Sequence, residues 1–60
     1  MLVVGQRIQN KQNPHLIATI LTVEEGRVTV EWVDQMTGFH GESGYSTEEI
    51  LTEWESCPPV

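Results

Sequence analysis

Cysteine is almost missing from this chain, and the single one, Cys57, lies near the C-terminal end. With no second thiol there is no disulfide framework, so the core has to hold by packing alone. One cysteine and two well-separated histidines also fall short of a structural zinc set, which takes close pairs of ligands. Cys57 therefore reads as an inert tail thiol. No haem or iron–sulfur spacing is present, and no cofactor is expected. Long hydrophobic runs are lacking too. The apolar stretches fall far short of the roughly 20 residues that span a bilayer. The opening "MLVVGQRIQ" has no basic lead and too short an apolar run for a secretory signal. The protein is expected to stay on the side of the membrane where it is made, meeting a membrane only indirectly.

Positive charge is scarce. The chain carries three bases against nine acids, a net charge of −6, which argues against nucleic acid because that binding rests on Lys and Arg meeting phosphates. The bases Arg7, Lys11 and Arg27 all precede residue 28, and no acid appears before Glu24. The chain is thus polarised into a weakly basic front and a strongly acidic back. Either a solvated acidic surface or the geometry of a partner accounts for it. If the three bases act together, they suit an acidic protein, where charge speeds encounter and sets orientation.

What is present is the grammar of a small all-β domain. Sixty residues make one domain, and such a chain buries only about 60% of its unfolded surface, so an enclosed catalytic cleft is not expected. "GQRIQN" offers a short alternating strand with Val4 and Ile8 on the buried side, and "KQNPH" is a loop because proline restricts Asn13. "LIATILTV" is rich in β-branched residues. Its alternation puts Ile17, Thr19, Leu21 and Val23 on one side and Leu16, Ala18, Ile20 and Thr22 on the other, both fairly apolar, as in a strand bending round a barrel. "EEGR" is a tight turn in which Gly26 supplies a positive φ, and "RVTVEWV" then alternates with Val28, Val30 and Trp32 inward. Around "FHGESGYS" a weaker strand is interrupted by glycines, so Gly38, Gly41 and Gly44 read as bends. Ser46 and Glu49 have the spacing of a capping box opening one helical turn, "LTEW" closes the sheet, and two prolines mark a tail. Four to five antiparallel strands with a short helical turn before the last describe an SH3-like barrel over residues 1–55, with a disordered tail over 56–60. A lone curved sheet would leave one apolar face wet.

Catalytic patterns are sparse. No nucleophile–base spacing, phosphate loop or paired metal ligands stand out. His40 and Glu42 have the spacing to share a proton, but a structural or surface histidine is the simpler reading. His15 is a loop residue beside Lys11 that adds to a basic patch if protonated. Trp32, Phe39, Tyr45 and Trp54 are the whole aromatic complement. They are either core, with Trp32 and Phe39 innermost and Tyr45 and Trp54 half-buried, or a groove. A groove of this kind belongs to a Tudor-type adaptor that holds a peptide or a methylated ammonium by cation–π attraction.

The run "GQRIQNKQNPHLIATILTVEEGRVTVEWVDQMTGFHGESGYSTEEI", and within it "VEWVDQMTGFHGESGY", resembles the small NdhS subunits of the cyanobacterial and chloroplast NAD(P)H dehydrogenase-like (photosynthetic complex I) complex. The resemblance extends over about residues 3 to 54. It implies an SH3-like barrel similar to the PsaE subunit of photosystem I, without a redox centre or catalysis of its own. It also implies a peripheral place on the cytoplasmic, stromal-equivalent face of the thylakoid. There such subunits help dock reduced ferredoxin, whose electrons reach plastoquinone in cyclic flow around photosystem I. On that reading Arg7, Lys11 and Arg27 face acidic ferredoxin, while Met36, Phe39, His40 and Tyr45 contact the parent complex. The isolated chain is expected to be a monomer.

Overall fold

The computed structural model describes residues 1–58. Five strands and one helix follow in the order β1 (Arg7–Asn10), β2 (Leu16–Glu24), β3 (Arg27–Asp34), β4 (His40–Ser46), α1 (Thr47–Glu53) and β5 (Trp54–Ser56). All pairings are antiparallel, and the sheet order is β4-β3-β2-β1-β5. This meander, whose last strand returns beside the first after a helical turn, is the expected SH3-like barrel.

The β2–β3 hairpin is the spine. Glu24 pairs with Arg27 across Glu25 and Gly26, and Gly26 takes φ 76°, a conformation that a Cβ would strain. From there the β-branched alternation sets the faces. Ala18, Ile20, Val28 and Val30 point inward and join Ile8, Ile50 and Trp54 in one buried cluster. Ile17 is also buried but stands on the outer face, opposite Val33, which is why both sides of β2 are apolar.

Four local readings are corrected by the structure. The pairing shifts register between Ile20 and Thr22, so Thr22 faces Thr29 and Val23 faces Val28. The extra residue reverses the phase of β2 beyond it, and simple alternation assigned these two residues to the wrong faces. Val4 is 64% exposed, because the chain turns through Val3–Gln6 before β1 begins at Arg7. Gly41 and Gly44 are not bends, since β4 pairs with β3 without interruption from His40 to Ser46; only Gly38, at φ 81°, turns the chain. The helix is longer than one turn. Ser46 accepts from the Glu49 N–H, Glu49 returns a carboxylate oxygen to the Ser46 N–H, and the box opens seven α-helical residues. Their one buried side chain, Ile50, drops into the core.

The end of the chain is tied to its beginning. Ser56 pairs with Ile8, and the Cys57 N–H donates to the Arg7 carbonyl at 3.1 Å. The expected tail over 56–60 therefore starts inside β5, and its residues 59–60 lie outside the described residues.

Candidate functional site

The sheet order leaves β4 and β5 as its two edges, with no hydrogen bonds between them among the described residues. Side chains close that side of the barrel instead. The rings of Tyr45 and Trp54 meet at 5.9 Å between centroids and 54° between planes, a tilted aromatic contact. Beside them lies a groove of about 210 Å³ lined by Leu16, Trp32, Ser43, Tyr45 and Trp54.

Local sequence explains the groove. Trp32 is the last inward residue of β3 before Asp34, and it faces Gly41 directly across the ladder. A Cβ on Gly41 would lie 3.1 Å from Trp32 Cζ2, so the missing side chain makes room for the indole against β4. The indole N–H donates to Ser43 Oγ at 3.1 Å, which fixes the ring. Trp32 is only half-buried, and its remaining surface forms one wall of the groove. Trp54 is 6% exposed, and Tyr45 is half-buried above it.

Three of the four aromatics considered from sequence therefore converge. The fourth does not. Phe39 is 71% exposed, on the turn ahead of β4, so neither its core role nor its place in a groove with the other rings is realised. Trp54, expected half-buried, instead joins the buried cluster at the end of the helix, and Trp32, expected innermost, is half-buried against it. Leu16 and Ser43 carried no signal as groove residues. Only the register of β2 and β4 brings them to this wall.

Met36, 77% exposed, and Phe39 sit on the β3–β4 turn. Asp34 shapes that turn: its Oδ1 accepts from the Met36 N–H at 2.8 Å and the Thr37 N–H at 3.3 Å. Its Oδ2 lies 3.8 Å from His15 Nε2. His40 faces outward opposite Val33, whereas Tyr45 faces inward opposite Val28, so these four residues do not form one surface. His40 and Glu42 share the outer face of β4 with no hydrogen bond between their side chains among the described residues. No group of three or more His, Cys, Asp or Glu with metal-holding geometry occurs among the described residues.

The bases are dispersed. Arg7 stands on the outer face opposite Thr19, and Lys11 follows β1 at one end of β2. Arg27 opens β3 at the other end, with its guanidinium lying over Gly44. The length of β2 separates Lys11 from Arg27, about 25 Å at the strand rise of about 3.3 Å per residue. All three are exposed, and none pairs with a carboxylate among the described residues.

Comparison with protein-family models, characterised proteins and solved structures gave no match.

Proposed function

We propose that this chain is a non-catalytic interaction module that holds a partner segment in the groove of Trp32, Tyr45 and Trp54. The observation that carries the reading is the half-exposed Trp32 indole. It is fixed by Ser43 and Gly41 and forms an open apolar wall beside two further rings. The part of this ring not packed on Gly41 is available surface, and Trp and Tyr dominate the energetics of such contacts. A small barrel with this groove is suited to an adaptor or an accessory subunit.

Panning a displayed random-peptide library tests the reading. Peptides should enrich on the native protein and lose most of their signal on a folded Tyr45→Ala variant. Equal enrichment on both, or none on the native protein, contradicts the groove.

A second reading is the one the family resemblance implies, a ferredoxin-docking subunit of the photosynthetic NAD(P)H dehydrogenase-like complex at the thylakoid. Arg7, Lys11 and Arg27 are exposed and have no carboxylate partner among the described residues, which speaks for it. Their dispersal and the net charge of −6 require that one base at a time, or neighbouring subunits, supply the attraction. The double variant Arg7→Glu/Lys11→Glu should then weaken ferredoxin-induced amide shifts. Unchanged shifts in that variant remove this docking face.

A further inference from the structure

The groove borders the edge strand β4, which contributes Ser43 and Tyr45 to its lining. The Asp34 N–H donates to the Phe39 carbonyl at 2.8 Å, which sets the phase of the β3–β4 ladder. Backbone groups alternate sides along a strand, so Gly41, Ser43 and Tyr45 bond to β3, while His40, Glu42 and Gly44 turn theirs away from it. β4 is an edge, and those three residues are exposed. The Ser46 N–H, next in the series, is taken by Glu49. Natural edges are blunted by charged side chains, proline or a bulge, and of these only the charge of Glu42 occurs between His40 and Ser46.

Charge points to what can pair there. On the outer face one cross-strand row reads Arg7, Thr19, Glu31, Glu42. Glu31 and Glu42 are direct neighbours of like charge, an arrangement that destabilises a sheet, and neither has an ion-pair partner among the described residues. The next place in that row, beyond Glu42, would belong to an added strand. A base there offsets the Glu42 carboxylate and so relieves part of its repulsion with Glu31.

We infer that β4 accepts an extended, basic segment of a partner protein as a sixth strand, with a Lys or Arg opposite Glu42 and apolar residues on either side of it. This rests on the groove reading, because period-two alternation turns those flanking side chains inward, toward Trp32, Tyr45 and Trp54. A second copy of this chain is a poor occupant. Antiparallel pairing of two copies through the three free positions His40, Glu42 and Gly44 sets Glu42 against Glu42, between molecules of net charge −6 each.

Two synthetic peptides that alternate valine with polar residues, one with a central lysine and one with a central glutamate, test the inference on the full chain. Amide hydrogen exchange and indole N–H shifts are read together. The lysine peptide should slow exchange at His40, Glu42 and Gly44 and bind about five- to tenfold more tightly than the glutamate peptide, with the preference reversed in Glu42→Lys. Indole shifts without protection of those amides overturn the added strand but leave the groove standing. Equal binding of both peptides, or no binding of either, also overturns it. Protection that appears without peptide and grows with protein concentration would mean self-pairing, and would overturn it as well.

Discussion

Two glycines in one strand show how differently the same residue type is used. A Cβ at Gly41 meets the ring of Trp32 at 3.1 Å, and that ring is held by its hydrogen bond to Ser43. A Cβ at Gly44 meets the Arg27 guanidinium at 2.5 Å, which is closer, but the obstacle is the end of a flexible and exposed side chain. Rigidity decides the outcome rather than distance. Gly41→Val should destabilise the fold by about 1–3 kcal/mol and shift the tryptophan emission as the indole is pushed out. Gly44→Ala should be neutral, or stabilising by about 0.5 kcal/mol, because the unfolded chain loses freedom while Arg27 swings aside. Urea denaturation of both variants checks the pair. A larger loss at Gly44 would mean that Arg27 is anchored in a way its exposure does not indicate. Neither role was legible in sequence, where a glycine in a strand pattern signals a bend as readily as a close approach.

At the scale of elements, the capping box is the plainest case of sequence dictating structure. Ser46 and Glu49 satisfy each other's backbone donors, and the helix they open places Ile50 in the core and Trp54 at the groove. Ser46→Ala should cost about 1 kcal/mol and lower the thermal midpoint. Because the same helix positions Trp54, it should also broaden the Trp54 indole signal; a sharp, unmoved signal would mean that β5 pairing alone holds the ring. The hairpin, the capping box and the inward set Val28, Val30 and Trp32 could be read from sequence because each depends on neighbours a few residues away. The β2 bulge could not, since it arises from pairing with β3 and leaves no local mark. Nor could the convergence of Leu16, Ser43 and Tyr45, which depends on register across three strands. Phe39 departs from its expected place for a related reason. Its apolar character suggested core, but the turn fixed by Asp34 and Gly38 releases it to solvent.

For the molecule as a whole, the sheet closes on one side by aromatic contact instead of hydrogen bonds, and that side holds both the groove and the free edge of β4. The bases, by contrast, are spread from one end of β2 to the other. A partner that uses aromatic surface and one that uses positive charge must therefore leave different footprints. The measurement that separates them most directly is a titration of the isotope-labelled chain, first with the peptide selected by panning and then with ferredoxin. The account predicts that the peptide moves the indole N–H signals of Trp32 and Trp54 together with the Tyr45 amide, leaving Arg7, Lys11 and Arg27 in place. Unmoved indoles under the peptide, with shifts at those three bases under ferredoxin, would contradict it.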